Sequence, residues 1–261
     1  MLTYLPELRL NVLEDGPKDG PALVLAHALG LDATMWDTVL PLLPPGLRLI
    51  RLDMRGHGGS DTPPAPYAMG ALVRDAERVL DHLGVKDAVF VGLSIGGLIA
   101  QGLAVKRLDL VRGMVLSNTA ARIGNDTLWH DRIAKVAAGG MEAIIAPTME
   151  RWFSRRFRAE NRHSPWAARL AACRPEGWMG CAAAIAGTDF YTPTAGLRLP
   201  VMVIAGGHDG STPPDLVRET AALIPDADFH LLPGSGHLPP VDAPQPFAAL
   251  LSAFLTRIGH I

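Results

Sequence analysis

Apolar residues along the chain follow two alternating patterns. Short, nearly unbroken apolar runs occur at Leu8–Leu13, Ala22–Ala26, Leu47–Leu52, Asp87–Leu93, Val111–Leu116, Val201–Ala205 and Phe229–Leu232. Runs of this kind predict strands, and most of these read as buried on both faces. Leu8–Leu13 reads instead as an edge strand. Between the runs, apolar residues recur at helical spacing. Met69–Leu83 places Leu72, Ala76, Val79, Leu80 and Leu83 on one stripe, and Ile95–Val105, Pro214–Leu223 and Phe247–Arg257 also read as helices. A short helix is expected over Met35–Leu43. Strands alternating with helices imply a parallel sheet covered on both faces.

The alternation stops between Arg122 and Leu197. That stretch offers no strand, holds four of the five tryptophans and is rich in arginine. Ile133–Met149, Glu150–Ala159 and Ala167–Ala172 read as helices within it. The economical organisation is one α/β core, residues 1–121 and 198–261, with a helical cap, residues 122–197, inserted between its sixth and seventh main strands. A cap there would sit over the carboxyl edge of the sheet, where ligands bind in open α/β folds.

Composition then narrows the function classes. A chain of 261 residues with 48% hydrophobic content can bury a large core. A formal net charge of −2 and a pI near 6.5 provide no field that would recruit nucleic acid or an anionic membrane. The first residues lack a basic stretch followed by a long apolar one, and no apolar run approaches the roughly 20 residues of a membrane span. A cytoplasmic protein is expected. Cys173 and Cys181 read as free thiols in a reducing compartment, with a disulfide as the alternative. Without a nearby His pair they make no zinc site. Oligomeric state stays open.

Candidate chemistry starts at Val89-Phe90-Val91-Gly92-Leu93-Ser94-Ile95-Gly96-Gly97. An apolar run feeds a Gly-x-Ser-x-Gly turn and a helical pattern follows, the context of a nucleophile elbow that lifts a serine hydroxyl out of a sheet. Ser94 is therefore the candidate nucleophile, and it needs an imidazole to take its proton. His237, in the loop Gly234-Ser235-Gly236-His237 after the last run, is the candidate base. Asp209, in Gly206-Gly207-His208-Asp209 after Val201–Ala205, is the candidate acid that orients it, a helix cap being the alternative role. An oxyanion would be met by the amide of Ile95 and by that of Leu29, with Ala28 as the rival to Leu29. His27 reads as a loop-ordering residue. The loop Asp53–Asp61 lacks the spacing of a phosphate loop. It reads as a structural loop beneath the site, its Asp53, Arg55 and His57 satisfying one another.

With these residues in place, the chain resembles the α/β-hydrolase superfamily over its whole length. The elbow, the Asp53-Met54-Arg55-Gly56-His57-Gly58 loop, and the order Ser94, Asp209, His237 all match its pattern. Within it, the chain is similar to the 3-oxoadipate enol-lactonases. That likeness rests on Leu116–Gly124, Trp129 with Arg132-Ile133, Glu150-Arg151-Trp152-Phe153, and Glu176-Gly177-Trp178 through Ile185. It departs from them at His27-Ala28-Leu29-Gly30, where they often carry Asn-Ser-Leu-Gly.

The resemblance implies ring opening of a small butenolide with a carboxymethyl arm, through an acyl-enzyme on Ser94. It implies no metal and no organic cofactor, and no partner beyond a small-molecule substrate. The substrate carboxylate needs a cation, and arginine suits it through paired hydrogen bonds. Arg132 is the candidate, a solvated helix face being its other reading. Trp129 and Trp152 are candidate substrate-binding residues, although they and Trp178 also suit the core of the cap. Arg151, Arg155, Arg156 and Arg158 read as an exposed basic helix face. The alternatives are a small-ester carboxylesterase or a carbon–carbon bond hydrolase of ring-cleavage products. A ligand receptor on the same fold is more remote.

Overall fold

The computed structural model describes residues 2–5 and 7–261. Among them, eight strands form one sheet: β1 (Leu2–Leu5), β2 (Leu8–Asp15), β3 (Ala22–Ala26), β4 (Arg48–Leu52), β5 (Ala88–Leu93), β6 (Val111–Ser117), β7 (Val201–Gly206) and β8 (Asp228–Leu232). Their spatial order is β1-β2-β4-β3-β5-β6-β7-β8. β1 pairs antiparallel with β2, and β2 with β4. Every other pairing is parallel. The strands read as continuous apolar runs sit at the centre, and β3, β5 and β7 are buried at every residue. No helix among the described residues is long and apolar enough to cross a membrane.

Helices α1 (Met69–His82) and α2 (Ile95–Lys106) flank β5, and α1 packs on α2. The stripe expected on α1 is the face it buries, through Leu72, Val73, Ala76, Val79 and Leu80. Six helices occupy the connection from β6 to β7: α3 (Asp126–Gly139), α4 (Glu142–Trp152), α5 (Arg155–Ala159), α6 (Ser164–Ala171), α7 (Pro175–Ala186) and α8 (Tyr191–Ala195). After β7 come α9 (Pro214–Leu223), then, past β8, α10 (Pro239–Asp242) and α11 (Pro244–Arg257).

Several expectations need correction. Leu8–Leu13 does not lie at the edge, because β1, only four residues long, takes that place. Met35–Leu43 is not one helix but two 3₁₀ turns, Ala33–Trp36 and Leu40–Leu42. Pro41 lacks the N–H that a continuous helix would need there. The helix expected over Ile133–Met149 is split at Gly139-Gly140. Gly140 turns to φ +65° while its amide closes α3 on the Val136 carbonyl. The helix expected over Glu150–Ala159 breaks at Phe153, and the Ser154 hydroxyl accepts the Phe157 amide to start α5. Helix α8 escaped prediction, and α7 was expected only as a helical region around Cys173 and Cys181, without bounds. In α7, a run of Gly and Ala gives little polar contrast between its faces. Both cysteines are free thiols, and burial pushes that of Cys181 well up.

Candidate active site

Ser94 follows β5 directly and is the residue before α2. Its backbone sits at φ 57°, ψ −120°, a region that side-chain-bearing residues rarely occupy. The surroundings impose that conformation. Its amide donates to the Ser117 carbonyl at 3.0 Å, and its carbonyl accepts from the Gly97 amide at 2.8 Å. The Thr119 hydroxyl donates to the same carbonyl at 2.7 Å. A Cβ on Gly92 would strike the Gly96 carbonyl, and one on Gly96 would strike the carbonyl of Ala26 in β3. The two glycines of the motif are therefore demanded by the closeness of strand, turn and helix.

Asp209 emerges just past β7 and His237 past β8, so both stand at the carboxyl edge beside Ser94. The His237 imidazole donates from Nδ1 to Asp209 Oδ2 at 2.8 Å. An ionised carboxylate only accepts, so the proton belongs on Nδ1 and Nε2 is left as the basic nitrogen. Asp209 Oδ2 also accepts from the Thr212 hydroxyl at 2.7 Å and from Asn118 Nδ2 at 2.8 Å. Its Oδ1 takes the amides of Ser211 and Thr212 at 2.7 and 3.0 Å. Asp209 does not cap α9, whose N-cap residue is Pro213; its Oδ1 orders the turn before that helix while Oδ2 serves His237. Burial pushes the Asp209 carboxyl up, but His237 and these hydrogen bonds outweigh it and hold the group below the usual carboxylate range.

Asn118 escaped sequence reasoning as a site residue. Its Nδ2 bridges Asp209 Oδ2 and the Gly236 carbonyl, the latter at 3.0 Å, so one buried amide ties the acid to the loop of the base. Its signal was an Asn directly after a strand, where it adopts φ 49°. The backbone around His237 is fastened on all sides. The His237 amide donates to the Trp152 carbonyl at 2.7 Å, and the His208 amide to that of Ser235 at 2.8 Å. Asp242 accepts from the Ser235 hydroxyl and, at 2.6 Å, from the Gly236 amide.

Ser94 and His237 open into one cavity, which Leu29 also lines. Among the described residues, the amides of Leu29 and Ile95 donate no hydrogen bond, whereas that of Ala28 faces Met35 Sδ at 3.5 Å. Leu29 rather than Ala28 therefore has a donor to spare. Ile95 begins α2, where helix amides lack intrahelical partners.

Helices α3, α4 and α7 supply the opposite wall. Arg132 lines it and lies over the Trp129 ring at 4.8 Å. Burial, then the nearby Arg151, pushes its guanidinium down to about 10, which leaves it charged at neutral pH. Trp129 and Trp152 are almost fully buried, as the core of the cap requires, and both also line the cavity. The Trp152 ring also stacks on His237, with centroids 6.2 Å apart. Trp178 lines the cavity as well.

The arginine cluster divides. Arg155 and Arg156 are exposed as expected, but Arg151 is half-buried and lines the cavity. The break after Trp152 turns α4 and α5 apart, so the four arginines share no face.

The Asp53–Asp61 loop also differs from expectation, since among the described residues the side chains of Asp53, Arg55 and His57 do not pair with one another. Asp53 accepts from Asn11, Ala33 and Gly59, and Arg55 forms a two-bond ion pair with Asp75. His57 Nε2 accepts the Gly30 amide at 3.0 Å, and His27 Nε2 accepts that of Met54 at 3.0 Å. His27 orders its loop as expected. Burial, then its neighbour His27, pushes His57 down to about 3, consistent with a neutral ring that holds Gly30, and so the Leu29 turn, in place.

A family model described as alpha/beta hydrolase fold matches residues 21–244. The 3-oxoadipate enol-lactonase 2 of Acinetobacter baylyi is 31% identical over 255 residues, which cover 97% of this chain and 95% of that one. Among solved structures, a hydrolase from Pseudomonas aeruginosa PA01 is similar with a TM-score of 0.93 at 35% identity, covering 98% of this chain and 97% of its own. The enol-lactonase from Burkholderia xenovorans LB400 gives 0.92 at 31% identity, covering 98% and 100%.

Proposed function

Because the chain belongs to the α/β-hydrolase family, we propose that it is a serine hydrolase that opens the ring of 3-oxoadipate enol-lactone, a small carboxylated butenolide. The observation that carries this reading is a single cavity lined by Ser94, His237 and Arg132 together. It joins a nucleophile and a base to a cation suited to the carboxylate arm.

In the proposed mechanism, His237 Nε2 removes the Ser94 proton as Oγ attacks the lactone carbonyl. Asp209 holds the imidazole in the required tautomer and stabilises the imidazolium. The oxyanion is received by the amides of Leu29 and Ile95, preorganised donors worth roughly 3–4 kcal/mol each in such sites. Collapse breaks the ring C–O bond, and His237 gives its proton to the departing enol oxygen. Water, deprotonated by His237, then attacks the acyl-enzyme and releases 3-oxoadipate after the enol tautomerises. Arg132 binds the carboxylate that does not react.

The test follows loss of enol-lactone absorbance beside a panel of simple neutral esters. A kcat/KM for the lactone at least about a hundredfold above the esters is expected. A lactone value no better than the esters would replace this reading with that of a small-ester carboxylesterase. In either case Ser94→Ala should abolish turnover, and parent-rate hydrolysis by that variant would refute the nucleophile assignment.

A further inference from the structure

Eleven residues line the cavity, and none bears a carboxylate. Two are arginines, 132 and 151, close enough for the charge on Arg151 to lower the guanidinium of Arg132. Stacking on Trp129 accounts for Arg132 without a ligand. It does not account for Arg151. There, Nη2 donates to the Thr148 hydroxyl at 2.9 Å, but Nε is buried with no partner. Glu150 beside it faces solvent and lies 4.0 Å from Arg158. Among the described residues neither half-buried cation forms an ion pair, and the charge of Glu150 acts on Arg151 only from the solvent side. Two such cations beside a nucleophile are a poor arrangement for stability alone.

We propose that Arg151 and Arg132 together form an anion subsite for one carboxylate, and that Arg151 sets selectivity for esters and lactones that carry it. The proposal rests on the hydrolase reading and not on the identity of the lactone. Nε and Nη of one guanidinium can grip both carboxylate oxygens, which a single point charge cannot. Position adds a second consequence. The Arg151 carbonyl accepts the amide of Gly210, next to Asp209, at 2.9 Å, and the Trp152 carbonyl accepts that of His237. A carboxylate held on this turn of α4 is held on the segment that fastens acid and base. Its binding should therefore register in kcat as well as in KM.

The experiment compares monomethyl adipate with methyl hexanoate, esters of equal length that differ in the terminal carboxylate, by pH-stat. The parent enzyme should favour the charged ester by at least about tenfold in kcat/KM. In Arg151→Gln, kcat/KM for monomethyl adipate should fall at least about tenfold further than that for methyl hexanoate. Arg151→Lys, which keeps the charge and loses the fork, should fall between. Glutarate should inhibit p-nitrophenyl acetate hydrolysis competitively, with a Ki raised about tenfold by Arg151→Gln. No preference in the parent, or equal losses on both esters in Arg151→Gln, would overturn the subsite and leave Arg151 a packing residue. Preference for the charged ester without lactone turnover would sustain the subsite and reject the lactone alone. Lactone turnover without that preference would do the reverse.

Discussion

At the level of single residues, the acid and base positions were legible because each follows an apolar run and sits among glycines. Their supports were not. Asn118, Asp242 and the Trp152 carbonyl reach the His237 loop from distant parts of the chain, and no local spacing announces them. Arg151 was misplaced for a related reason, since four arginines in eight residues look like a solvated face until the helix break is known. Asp242 offers a prediction of its own. Burial pushes its carboxyl up to about 6, against the hydrogen bonds from Ser235 and Gly236 and the nearby charge of Arg162. A folded-state value raised above the unfolded one means that folding favours the protonated form, a contribution present at low pH and lost as pH rises through about 6. Asp242→Asn, neutral throughout, should therefore gain stability relative to the parent between pH 4.5 and pH 8, by about 2 kcal/mol, read as a rise in relative Tm. It should also lose several-fold in kcat at pH 8, because one amide oxygen replaces two carboxylate acceptors. Melting curves at both pH values, read beside kcat, check this. A Tm difference independent of pH would contradict the titration.

Elements differ in how far local sequence determines them. The central parallel strands were read correctly because burial on both faces leaves a continuous apolar signature. The six helices between β6 and β7 carried weaker signals, since their ends depend on Gly140 and Ser154 and their faces on neighbours within the insertion. The elbow helix shows the sharpest dependence on its surroundings. Gly96 in α2 leaves no room for a Cβ beside the Ala26 carbonyl, whereas nothing lies within 4 Å of a Cβ on Gly70 in α1. Gly96→Ala should cost about 2–3 kcal/mol through overpacking and displace the Ile95 amide, lowering kcat. Gly70→Ala should be neutral or stabilising by up to about 1 kcal/mol. Urea unfolding of the pair provides the comparison, and similar midpoints for both would refute the steric account.

For the whole molecule, the alternation of strands and helices and its break were both visible in the hydrophobic pattern, but the strand order and the join between inserted helices and sheet were not. Beside side-chain links such as Arg174 to the Ser60 carbonyl, part of that join is made by main chain. Consecutive carbonyls at the end of α4 receive Gly210 from one catalytic-edge loop and His237 from the other. Opening of the insertion should then expose both loops at once. In native-state hydrogen exchange, the amides of Gly210 and His237 should open with the same free energy as α4. Protection of these two that persists while α4 exchanges would mean that the insertion moves independently. The same join separates two duties within two residues. At positions 151 and 152 the peptide groups hold the machinery, and the Arg151 side chain is left to meet whatever enters the cavity. Hydrogen bonds from peptide groups are indifferent to side-chain identity. Evolution or an engineer can therefore exchange the guanidinium at position 151 for a shorter, neutral or apolar group and redirect the enzyme to new esters, with the hydrolytic apparatus left standing.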